Sequence, residues 1–165
     1  MARLIENGDI VSGFLPIDLQ AAQTGDYVTL KNHNHISIVL FKAAGTAGDD
    51  PTITVNQATA VAGTGAKALQ FTDLWHKQAT VLTATATWTH VTQTASETYT
   101  DATSAEDAAI WVVEFDASDL DSDGGFDCVS MNCSDVGSNA QLGCALYILT
   151  EPRYSLEGGI DSITD

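Results

Sequence analysis

The stretch "AIWVVEFDASDLDSDGGFDCVSMNC", residues 109–133, decides the fold. Its centre has the start of a calcium-binding loop, because Asp119, Asp121 and Asp123 alternate and Gly124 follows. An EF-hand loop needs oxygen ligands at positions 1, 3 and 5, a Gly at 6 and a bidentate Glu at 12. Counted from Asp119, the first four requirements are met and Asp127 falls at a permissible ninth position. The twelfth is Ser130, whose single hydroxyl cannot supply two carboxylate oxygens. The flanks differ from an EF-hand as well, since that loop joins two helices. Trp111, Val113 and Phe115 alternate with Ile110, Val112 and Glu114, and Val129 and Met131 alternate with Cys128 and Ser130. A two-residue period rich in β-branched and aromatic residues is that of strands. The stretch therefore reads as strand–turn–strand, with the acidic segment capping a hairpin and Gly124-Gly125 supplying positive φ. A weak calcium site built from Asp119, Asp121, Asp123 and Asp127 is the competing reading, since clustered carboxylates repel unless a cation or water screens them.

The same period recurs along the chain. Strands are expected at "GDYVTL" (25–30), "HISIVLFKA" (35–43), "TITVNQA" (52–58), "ALQFTDLWHKQA" (68–79), "TVLTATATWTH" (80–90), and near 109–116, 126–133 and 141–149. In the fifth of these, threonines at 83, 85, 87 and 89 form one face. "TAGDDP" and "AGTGAK" are turns, and "ASETYTDATSAEDA" reads as a long polar loop with a capping box between Ser104 and Asp107. Short strands separated by turn signals imply an all-β fold, a β-sandwich of the jelly-roll kind, in one domain. Residues 21–150 form that domain, 151–165 a C-terminal tail, and 1–20 either an N-terminal arm or the first strand. In that segment Phe14, Leu15, Pro16 and Ile17 are candidate partner-binding residues.

Six Lys and Arg stand against 22 Asp and Glu, a formal net charge of −16. Such a surface repels phosphate backbones and anionic lipid, so neither nucleic acid nor a membrane is an expected partner. The N-terminus shows no secretory h-region, and no apolar run approaches a membrane-spanning length. Cys128, Cys133 and Cys144 are an odd set and read as free thiols of a protein made in a reducing cytoplasm, with a Cys133–Cys144 bridge as the alternative. His33 and His35 are spaced to share a face and to ligate a metal, although "KNHNH" reads equally as a polar strand entrance. No G-x-S-x-G or H-E-x-x-H occurs, and "AGTGAKA" lacks the G-K-[ST] ending of a phosphate loop, so no enzymatic activity and no cofactor are expected.

Four segments, "GTAGDDPTITVNQATAVAGTGAKAL", "YTDATSAEDAAIWVVEFDASDLD", "GGFDCVSMNCSDVG" and "NAQLGCALYILTEPRY", resemble a family of small virion structural proteins of tailed bacteriophages and their prophages. The resemblance spans about residues 25–154 and rests on whole segments, not on a catalytic signature. It implies a head-decoration, or cement, protein on the capsid exterior, with the major capsid protein as partner and a homotrimer as its working form. The readings beside it are a tail or baseplate component of the same particle, and a jelly-roll module binding calcium or carbohydrate, in which Trp75, Trp88 and Trp111 would stack on sugars.

Overall fold

The structure is a computed structural model that describes residues 4–82, 86–102 and 107–154. Eleven strands are present among these residues: β1 (Gly8–Asp18), β2 (Val28–Thr29), β3 (His33–Lys42), β4 (Thr52–Ala58), β5 (Lys67–Ala68), β6 (Phe71–Ala79), β7 (Thr89–Ser96), β8 (Thr98–Thr100), β9 (Ala108–Asp116), β10 (Cys128–Cys133) and β11 (Leu142–Pro152). One sheet has the order β1-β11-β3-β9-β6-β7, the other β2-β10-β4-β5, with β8 also on β4. Successive strands β1 to β4, and again β9 to β11, alternate between the sheets, while the first strand pairs with the last. That is a jelly roll. Its fourth edge is assembled from two short strands that share one side of β4: β5 lies opposite Asn56 and Gln57, β8 opposite Thr52 to Thr54. The β6–β7 hairpin widens the other sheet beyond the usual four strands.

The inward rows follow directly from the alternation in the sequence. Leu149, Ile36 and Phe115 lie side by side across β11, β3 and β9; Tyr147, Ile38 and Val113 form the next row, and Ala145, Leu40 and Trp111 the next. All nine are buried, and Val28, Ile53, Val55, Val129 and Met131 of the second sheet close over them. Sheets packed at about 10 Å need this dense filling from both inner faces.

One polar atom crosses the apolar layer. Met131 sits beyond the end of β2, which pairs with β10 only at Cys128 and Val129. Its backbone N–H donates instead to the hydroxyl of Tyr147, 2.9 Å away, reaching over from the opposite sheet. The ring needs glycine beneath it: a Cβ at Gly13 would stand 2.7 Å from the Tyr147 ring, and one at Gly25 would stand 2.7 Å from its hydroxyl and 2.2 Å from the Met131 carbonyl. Burial raises the Tyr147 phenol above its ordinary range.

Several expectations are corrected. β9 and β10 lie in different sheets, so the acidic segment between them is a crossing and not a hairpin tip. It is folded into two 3₁₀ turns, Ala117–Asp119 and Ser122–Gly124, and only Gly125 of the glycine pair has positive φ. Among the described residues 80–82 and 86–88 are not strand; the regular element begins at Thr89, and Thr83 and Thr85 lie outside the described residues. The polar loop from 95 contains β8, whose Tyr99 packs edge-on against Trp111 at 5.0 Å. The Ser104 capping box lies outside the described residues. Residues 8–18 are the first strand of the sheet, paired with β11 from Gly8↔Thr150 to Asp18↔Leu142. At the other end β11 continues to Pro152, into the span read as a tail; residues 155–165 lie outside the described residues.

Replacing Tyr147 with Phe keeps the packing and strands the Met131 N–H in the core. Leaving a buried donor unpaired costs about 1–3 kcal/mol, and thermal unfolding should register a loss of several degrees. A Tyr147→Phe melting curve that overlays the parent's would show that the bond contributes nothing.

Candidate functional site

Strands buried on one side alternate apolar and polar residues, yet three central strands here are apolar on both faces. Across the outward side of the larger sheet, Leu146, Val39, Val112 and Trp75 form one continuous row, and Cys144, Phe41 and Ile110 form the next. Ile10 and Ile148 add a pair at the β1 edge. Phe41 is 49% exposed and Trp75 42%. A contiguous apolar patch of this kind on a folded domain marks a surface built to be covered. Fully burying an exposed side chain of this kind gains about 1.5–3 kcal/mol, and since Leu146, Phe41 and Trp75 are part-exposed and Val39, Val112 and Ile110 half-buried, each gains a fraction of that on being covered.

Ion pairs occupy the far end of the same face. His35 Nδ1 lies 2.9 Å from an Asp116 oxygen and its Nε2 3.5 Å from Glu114, to which Ser37 donates at 3.0 Å. His90 Nε2 lies 2.8 Å from Asp73, and its ring stacks on Trp75 with centroids 4.7 Å apart. The Thr72 hydroxyl, and then His90, hold the Asp73 carboxyl below its usual range. Asp73, Glu114 and Asp116 thus each face a histidine, and the apolar rows hold no carboxylate, the second of them ending beside Lys77.

At the opposite end the face drops into an apolar cleft of about 410 Å³, lined by Pro16, Phe41, Val81, Leu82, Leu142 and Cys144 among others. Two breaks in the β1–β11 register, between Ser12 and Phe14 and between Phe14 and Ile17, turn Phe14 into the core. They leave Leu15, Pro16 and Ile17 exposed, with Pro16 lining the cleft. Of the four candidate partner-binding residues, three are therefore exposed and Phe14 is buried. Lys42 lies at the floor, fully buried, its Nζ donating to the Asp107 carbonyl at 2.8 Å.

The acidic residues do not converge. Asp119 accepts from the Asp116 N–H at 2.8 Å. Asp121 accepts from the Gly124 N–H at 3.0 Å and pairs with Lys67, whose ammonium also sits 4.0 Å above the Phe126 ring. The Lys67 contact, followed by the Gly124 N–H, lowers the Asp121 carboxyl. Asp127 faces Lys31 at 3.4 Å and accepts from the Cys128 thiol. Among the described residues no three His, Cys, Asp or Glu side chains are grouped so as to hold a metal ion. The histidine pair is also divided: His35 faces outward among carboxylates, whereas His33 is buried with neither ring nitrogen hydrogen-bonded. The three cysteines are free thiols, and burial pushes Cys128 and Cys133 up to about 12. Trp111 is core; Trp75 and Trp88 are exposed.

No protein-family model, curated protein or solved structure matches this chain. No helix among the described residues is long and apolar enough to cross a membrane. The apolar face and its cleft escaped the reading of the sequence, although a signal was there. In "HISIVLFKA" both Ile36, Ile38, Leu40 and Val39, Phe41 are apolar, a pattern of strands covered on two sides.

Two expectations follow. Calcium in large excess should leave the melting temperature unchanged, because a ligand at 100 times its Kd would add about 2.7 kcal/mol; a rise of several degrees that Asp121→Asn with Asp123→Asn abolishes would establish a site. His33 gives a pH dependence. Burial lowers its folded-state pKa, with Asp9 opposing in part. Below about pH 6.5 the unfolded chain takes up a proton that the folded chain resists, so stability falls as pH drops through that value. Urea midpoints at neutral and mildly acidic pH should fall less in His33→Gln than in the parent, and equal slopes would contradict the assignment.

Proposed function

We propose that this protein is a non-enzymatic virion structural protein of a tailed bacteriophage, a decoration protein that binds the major capsid protein on the outside of the head and stabilises the shell as a homotrimer. It is made in the host cytoplasm and resides on the particle. The observation that carries this reading is the carboxylate-free apolar face of the larger sheet, set in a jelly roll of net charge −16. It has the character of an interaction surface, and the resemblance of four long segments to phage virion proteins supplies the partner. Fold alone would not, since jelly rolls serve many roles. A strongly acidic remainder keeps such a protein soluble until it docks and does no harm outside the shell, with the genome beneath. Many copies, each with a modest interface, together brace a lattice more firmly than any one contact.

The exposed indoles of Trp75 and Trp88 favour a second reading, a carbohydrate-binding module. A tail or baseplate position is a third. One experiment separates them. Purified protein is mixed with undecorated particles, washed and imaged by cryo-EM, beside a Leu146→Glu variant that places a charge in the middle of the face. Added density on the head, lost with the variant, is the expected result. Density on the tail alone, or none on the particle, would overturn the decoration role, and a shift of tryptophan fluorescence on adding oligosaccharide would favour the module. Deletion of residues 1–17 does not serve as a test, because it removes most of β1.

A further inference from the structure

His90 does not stand apart from the apolar face; it continues one of its rows. It lies directly opposite Trp75 in the register of β6 and β7, so the row that begins at Leu146 runs through Val39, Val112 and Trp75 to this imidazole. The two rings are stacked. A partner that covers Trp75 therefore also comes down on His90 and on Asp73, whose carboxylate lies 2.8 Å from the His90 Nε2. The two side chains are 44% and 54% exposed. The second histidine repeats the arrangement. His35 sits between Asp116 and Glu114 of β9, at 2.9 and 3.5 Å, with the Ser37 hydroxyl, which donates to Glu114, 3.5 Å from its Nε2.

The charge of this end is out of balance. Asp73, Glu114 and Asp116 against two neutral imidazoles leave three negative charges. Lys77, the cation bordering the face, lies beyond Trp75 on the side away from them, opposite Ile110. β7 is the edge strand, so β6 is the one strand beside His90; beside His35, β11 presents Thr150. Asp119 lines a cleft with Asp73 and Glu114 and accepts from the Asp116 N–H, while Glu151 and Arg153 line another with Asp116. Water screens such an excess on an exposed surface. A carboxylate taken out of water needs a countercharge or a proton. A histidine–carboxylate pair reaches zero net charge by taking up one proton, whichever of the two groups carries it. Histidine is the side chain whose charge ordinarily changes near neutral pH, so that proton is within reach.

We infer that docking through this face takes up protons at the His90–Asp73 pair and at the His35 cluster, so that the protein holds its partner more tightly as the pH falls from about 8 to about 6. This rests on the capsid-binding reading above and adds the condition under which the face engages. The sign follows from linkage. The docked form binds more protons than the free form, so lower pH favours it, and the gain ends once the free histidines are themselves charged. Binding of the full chain to undecorated particles is measured across that range. Affinity should rise by up to about tenfold per pH unit for each proton taken up. His90→Gln and His35→Gln should match the parent at the alkaline end and fall behind it at the acid end, each with a shallower slope. Asp73→Asn should bind more tightly than the parent at the alkaline end, because it needs no proton there. Thermal melting checks that each variant is folded. If the parent and all three variants share one slope, that slope belongs to the particle and the linkage is wrong while docking stands. A flat profile with binding that weakens as salt rises also overturns it, placing a cation of the partner against the carboxylates. A parent that binds at no pH overturns docking and linkage together.

Discussion

The hydroxyl of Tyr147 is the point at which the two sheets cease to be independent layers. Apolar packing between sheets is non-directional and tolerates sliding; a hydrogen bond from the Met131 N–H to a side chain of the facing sheet does not. It fixes β10 against β11 at one register, and it forces two glycines, because the ring lies where Cβ atoms of Gly13 and Gly25 would be. Gly13 in turn lies at the first break in β1, the irregularity that turns Phe14 inward and Leu15 outward. The exposed corner and the cleft margin therefore descend from a constraint in the core. The edge of β10 beyond β2 is closed by related means, with Gln23 and Cys133 exchanging both backbone bonds and the Gly25 N–H donating to Asn132.

Electrostatics divides the outer surface of the molecule. Carboxylates outnumber cations nearly fourfold, yet Asp73, Glu114 and Asp116 on the central strands of the larger sheet stand at one end, each against His35 or His90. The rows from Leu146 to Trp75 and from Cys144 to Ile110 hold none. Charged and apolar surface are thereby assigned to separate parts of one small domain.

Much of this architecture was legible in the sequence. Strand identity for β3, β4, β6, β9, β10 and β11 followed from alternation and turn residues, and Trp111, Val113 and Phe115 share one face as their spacing requires, because a period of two assigns faces with no knowledge of partners. What alternation cannot give is which strands pair. "DASDLDSDGGFD" has the turn chemistry of a hairpin, but strand pairing in a jelly roll is non-local, and β9 and β10 separate into different sheets. The threonine-rich segment before β7 failed for a related reason: β propensity reflects a neighbour to pack against, and nothing in the chain told which stretch would find one. β1 was ambiguous because Gly13, Pro16 and its register breaks erase the period that betrays the other strands. The candidate site was the least legible part, since a cleft is formed by residues from β1, β3, β11 and the segment after β6, brought together only by the fold.

The pairing of the first strand with the last has a further consequence. Gly8 lies directly opposite Thr150, so the backbone enters and leaves the sandwich at adjacent positions on one end. A short linker would close the chain into a ring, and new termini opened in an exposed turn such as the one at Gly63 and Gly65 would yield a circular permutant with every strand intact. The backbone on either side of the sandwich, beyond Gly8 and beyond Thr150, therefore departs side by side from one spot.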